Sequence, residues 1–135
     1  MGDLTVPAVA TPYRVGRLAL ASDGQTLYVA VNAAQSLQRI NVPTGTVGPQ
    51  FALGQNEFGT TMSAWDMTVQ PGHPLSIAVA RGDGYNPWDL VVYDDGIQRP
   101  NPVYAPQAVL AWMEDGSLLV GYRPFLGDGL RSTTT

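Results

Sequence analysis

The chain has 135 residues, 13% charged and 44% hydrophobic, with seven basic against eleven acidic side chains and no cysteine. That size permits one domain with a real core, and the hydrophobic share excludes a disordered polymer. A net charge of −4 gives no pull toward phosphate backbones or anionic membranes, so nucleic-acid binding is not expected, and disulfides, thiolate catalysis and thiolate metal sites are excluded outright.

The first residues, MGDLTVPAVATPYRVGR, lack the basic start of a signal peptide, and Val6 stands where myristoylation favours Ser or Thr. From Leu18 to Val31 the sequence LALASDGQTLYVAV alternates apolar residues with period two on both sides of Asp23-Gly24, which predicts a tight hairpin. The same plan returns at DMTVQPGHPLSIAVAR (66–81, turn at Pro71-Gly72) and at AVLAWMEDGSLLVGYR (108–123, turn at Asp115-Gly116). The second turn is not of the Asp-Gly form, which leaves the strand register of that unit open by one residue.

Each unit continues alike. A polar loop leads to a third strand, SLQRINV (36–42) or DLVVYD (89–94). A glycine turn then leads to a weaker fourth segment, VGPQFALG (47–54) or IQRPNPVYA (97–105). Four antiparallel strands in about 40–50 residues is the size of one blade of a β-propeller. Pro49, Pro100 and Pro102 fall in the fourth segments, as suits an outermost strand where a missing donor is tolerated. The predicted fold class is therefore all-β: four-stranded antiparallel blades, about three of them, over 17–63, 64–106 and 107–135, the last lacking its fourth strand.

The stretches RLALASDGQTLYVAV, SLQRINVPTGTVGPQFALG and DMTVQPGHPLSIAVAR resemble the β-propeller repeats of bacterial cell-surface and secreted proteins, the YVTN and NHL-like group. The resemblance implies an extracellular or cell-surface setting. It also implies that the segment 4–10 completes the last blade. Three blades are too few for a closed ring, since propellers carry four to eight. Two solutions are open: the chain is a piece of a longer propeller, or copies join head to tail, most simply as a homodimer of six blades.

Candidate sites are sparse. Trp65, Asp66, Arg81, Trp88, Tyr122 and Arg123 lie near first-strand starts, second-strand ends or, for Trp88, a third-strand start, where loops gather on one propeller face and can meet a protein or glycan ligand. Trp65 and Trp88 are expected just ahead of their strands, and Trp112 in the core between blades. Asp83, Asn86 and Asp89 supply oxygens at i, i+3 and i+6 of the loop RGDGYNPWD, without the alternate spacing of a calcium loop. Arg81-Gly82-Asp83 also spells an adhesion tripeptide, a match of the kind that arises by chance. The single histidine, His73, sits in a turn, and no nucleophile elbow accompanies it. The expected function is thus a non-catalytic scaffold or binding module without a cofactor. The alternatives are a propeller hydrolase or lactonase with a metal in its central channel, and a fragment or engineered assembly unit without a separate function. Asp66 is the one first-strand start with an acid for such a channel.

Overall fold

The computed structural model describes residues 15–104, 109–122 and 130–133, and within them it is an all-β protein. The first blade is a sheet of β1 (Val15–Leu20), β2 (Thr26–Val31), β3 (Ser36–Asn41) and β4 (Thr46–Ala52), in that order. The second has β5 (Ser63–Val69), β6 (Ser76–Gly82), β7 (Pro87–Asp94) and the two-residue β8 (Ile97–Gln98). The third contains β9 (Val109–Trp112), β10 (Leu119–Tyr122) and β11 (Leu130–Thr133) among the described residues. All pairings are antiparallel. The expected fourfold meander is present, and 4–10 lies outside the described residues.

The three hairpin turns share a glycine in the left-handed region, Gly24, Gly72 and Gly116, with φ of 70°, 77° and 75°, where a side chain would be strained. Their lengths differ. The turns are closed by Ala21 N donating to Thr26 O, Gln70 N to Ser76 O and Met113 N to Leu118 O, so the second holds one residue more. Equivalent positions are therefore matched by pairing rather than by glycine. Leu20 opposite Leu27 corresponds to Val69 opposite Ile77 and to Trp112 opposite Leu119. The register left open at QPGHP is thereby fixed.

Because side chains alternate across a strand, each sheet presents one face to the blade before it and one to the blade after. In the first seam Ala19, Ala21, Tyr28, Ala30 and Leu37 meet Met67, Val69, Ile77, Val79 and Val91, all buried. In the second, Ala78, Ala80, Leu90 and Val92 meet Leu110 and Leu119, with Trp112 packed against them. Strand β6 is apolar at every position from Ile77 to Ala80 because both of its faces are covered. Polar contacts register the seams. Tyr28 Oη donates to Pro74 O at 2.8 Å, Leu110 N to Asp66 Oδ2 at 2.7 Å and Trp112 Nε1 to Thr68 O at 3.2 Å. Trp112 thus takes its expected place between blades.

The outer strands carry the prolines. Opposite Arg39, β4 spends two residues, Gly48 and Pro49, between the pairs Gln38–Gln50 and Ile40–Val47, a bulge that absorbs the missing donor. In the second blade, Pro100 and Pro102 reduce the expected fourth strand to β8. Pairing resumes only where Val103 exchanges two 2.9 Å hydrogen bonds with Leu90.

Candidate functional site

The starts of β1 and β5 and the connections after β2, β4 and β6 lie at one end of the sheets, as the meander requires. A cleft of about 340 Å³ opens there between the first two blades, lined by Arg17, Asn32, Ser63, Ala64, Trp65 and Gly84. Arg17 sits near the start of β1 and is exposed. Asn32 opens the short 3₁₀ turn Asn32–Ala34 that joins β2 to β3.

Trp65 lies within β5, not ahead of it as the sequence suggested. Ala64 pairs with Arg81 and Asp66 with Ala80, so Trp65 is the extra residue of a bulge, a device that re-aims a side chain. Its indole lies against Gly82, where a β-carbon would run into the indole edge and into Asn86 O. Gly82 is thus required for the close approach of the indole. Trp88 likewise falls inside β7.

Two loops at this end of the sheets are each tied by one side chain. Asp83 Oδ1 accepts from Tyr85 N and Asn86 N, both at 2.9 Å, and these backbone donors, Tyr85 N foremost, hold its carboxyl below the usual range. Asn56 Oδ1 accepts from Phe58 N and Thr60 N, again at 2.9 Å. These self-capped turns display Tyr85, 87% exposed, and Phe58, 72% exposed. Phe58 stands edge-on to Trp88 with ring centroids 5.7 Å apart, a geometry that aromatic pairs favour.

Arg81 and Asp89 are corrections. Both were expected in an accessible loop; their side chains are 1% and 0% exposed. Arg81 Nε donates to Asp89 Oδ1 at 2.8 Å and Nη2 to Asp89 Oδ2 at 2.5 Å. This bidentate fork engages both Asp89 oxygens. It also removes Arg81 from any adhesion surface. Arg81 Nη1 and Tyr93 Oη both donate to Leu53 O, at 2.6 and 2.5 Å, tying the second blade to the segment after β4. Burial alone would lower the Arg81 pKa, but bonding to Asp89 and the nearby Tyr93 raise it. Burial lifts the Tyr93 phenol to about 12.

Asp66, expected to face a channel, is half-buried and spends Oδ2 on the Leu110 amide. Tyr122 ends β10, and Arg123 lies outside the described residues. Among the described residues the cleft includes Trp65, whose indole packs toward the second seam, and none of the other expected site residues. It adds Arg17, Asn32 and Ser63, which sequence reasoning did not single out as ligand-binding. Arg17 carried a faint signal, as a charged residue at a first-strand start.

No family model matches the chain, and no curated protein matches it in sequence. Solved structures do. Hsv2p of Kluyveromyces lactis is similar at 17% identity and a TM-score of 0.62, over 85% of this chain and 40% of that one. Hsv2 of Kluyveromyces marxianus is similar at 14% identity and 0.60, over 82% and 36%. The dihydro-heme d1 dehydrogenase NirN is similar at 17% and 0.55, over 79% and 23%. The chain thus spans well under two thirds of the structures it resembles. The likeness is one of fold, and the fold is that of a partial β-propeller.

Proposed function

We propose that the chain is a non-catalytic β-propeller binding module, of the YVTN and NHL-like kind, whose ring is completed by a second copy of itself. One observation carries this reading. Leu18 and Leu20 of β1 are 60% and 56% exposed, whereas Met67 and Val69, their counterparts in β5, are 6% and 7% exposed. The counterpart positions in β9 are Leu110, 7% exposed, and Trp112, packed in the second seam. The same places are covered wherever a blade precedes them. At the far end Met113, the counterpart of Ala21, is 50% exposed, so the chain offers both halves of a third type of seam. A head-to-tail pair would bury both and give six blades, inside the usual range. A non-catalytic role is supported by the engagement of Asp66, Asp83 and Asp89 in structural hydrogen bonds and an ion pair.

Light scattering on a sizing column tests the ring. A mass of twice 14.4 kDa, constant over a hundredfold dilution, is the expected result. A monomer throughout would assign the missing blades to other sequence and overturn self-closure.

A further inference from the structure

We propose that closure of the ring is gated by a pair of like charges, Glu114 of one copy meeting Asp23 of the next across the open seam. The inference rests on the self-closure reading and names what regulates that seam. It comes from a contact that the chain repeats. In each blade the turn between the first two strands is tied by one hydrogen bond across four residues. Gly24 N donates to Ala21 O at 2.9 Å, His73 N to Gln70 O at 3.0 Å and Gly116 N to Met113 O at 2.8 Å. Ser22, Pro71 and Glu114 are therefore the first central residues of equivalent turns, and Asp23, Gly72 and Asp115 the second. In the first seam Ser22 Oγ accepts from Gly72 N at 3.2 Å. In the second, Pro71 O lies 3.0 Å from where a β-carbon on Gly116 would stand, and Gln70 Nε2 donates to Gly116 O at 2.9 Å. Each turn thus sets its first central residue against the tip of the turn that follows. Repeated at the open seam, that contact sets Glu114 against Asp23 and Gly24 of the next copy.

The side chains at this junction decide its sign. Ser22 and Pro71 are uncharged, so the two internal seams bring no like charges together here. At the open seam both groups are carboxylates, and like charges held opposite each other oppose association. The charged groups around them do not offset this. Asp115, beside Glu114, is a third carboxylate, with Oδ1 taken by Ser117 N and Oγ. His73, in the turn packed against both of the others, acts on Asp94. Among the described residues Arg39, Arg81 and Arg99 each pair with an aspartate elsewhere, Arg17 lies toward the opposite end of β1, and Arg131 is paired with Gly121, away from the turn. A protonated Glu114 keeps an acceptor oxygen for the Asp23 amide, the part that Ser22 plays as a neutral group in the first seam. Neutralisation thus removes the repulsion and leaves the contact. Burial of Leu18, Leu20 and Met113 drives closure, and the carboxylates make it tighten as pH falls into their range and as salt rises.

Association is followed by energy transfer between copies labelled at their N-termini, both on dilution and as a rate of copy exchange. At neutral pH Glu114→Gln should bind about fivefold tighter at each seam, compounded over the two seams of a closed pair, and exchange more slowly. Asp23→Asn, which keeps the acceptor for Gln25 N, should do the same. Lowering the pH from about 7 to about 5 should tighten the native chain but not the double variant Glu114→Gln/Asp23→Asn. Glu114→Lys should bind tighter still, and salt should weaken it while strengthening the native pair. Glu114→Lys/Asp23→Lys should return to weak association, although its net charge is closer to zero. Unchanged or weaker binding in Glu114→Gln would overturn the gate. Tighter binding of the double lysine variant than of Glu114→Lys would assign the effect to net charge and overturn it equally. A native chain and variants that stay monomeric throughout would overturn ring closure itself, whereas a dimer indifferent to Glu114 would overturn this inference alone.

Discussion

Met67 and Leu18 occupy the same place in consecutive blades, yet one is sealed in a seam and the other faces solvent. A second pair of places differs as much. Arg81 opposite Asp89 in the second blade corresponds to Val31 opposite Ser36 in the first. One blade anchors the start of its loop with a buried ion pair, and the other uses an apolar residue and a hydroxyl. The strand scaffold accepts either. The difference teaches that the meander is set by alternation and turns, whereas what fills each position answers to the neighbouring blade.

The largest expected effect concerns the ion pair. Asp89→Ala leaves Arg81 charged and unpaired in the core, which should cost about 3–5 kcal/mol in urea unfolding. The double variant Arg81→Met/Asp89→Leu should restore most of that loss, since a buried pair is often replaced by apolar residues with little net change. Failure of the double variant to recover would show that the bonds to Leu53 O matter more than the charges do. Next comes the seam. Met67→Ala should cost about 2–4 kcal/mol by leaving a cavity, whereas Leu18→Ala should stay within about 0.5 kcal/mol per unassociated chain. Comparable costs measured at high dilution would erase the comparison.

A smaller effect is set by pH. The Tyr93 phenol ionises near 12 when folded and near its ordinary value of 10.0 when unfolded. The folded state therefore favours the protonated form, and its contribution is complete below pH 10 and is lost as pH rises from there toward 12. Stability in urea should decline across that window, and Tyr93→Phe should flatten the decline while losing some stability at neutral pH. An unchanged slope in Tyr93→Phe would place the alkaline sensitivity elsewhere.

Much of the fold was legible because its signals are local. Period-two alternation and the turn glycines at 24, 72 and 116 act within a few residues, and they recur. The prolines of the outer strands were legible for the same reason. The candidate site was not, because it depends on register. That Arg81 reaches Asp89 follows from their being paired across β6 and β7, and eight residues of separation in sequence give no hint of burial. Trp65 looked like a loop residue because a bulge interrupts the alternation around it. Arg17, Asn32 and Ser63 come from three places in the chain and meet only once two blades pack.

The absence of cysteine allows a direct test of the open seam. Leu20 and Met113 correspond to Val69 and Ala21, which share the first seam's core, so a head-to-tail ring should bring Leu20 of one copy beside Met113 of the next. The double variant Leu20→Cys/Met113→Cys, oxidised at low concentration, should give a covalent dimer that reductant releases. Leu20→Cys alone and Met113→Cys alone should give none. Cross-linking by either single variant would contradict the head-to-tail seam, and a monomer from the double variant would contradict self-closure altogether.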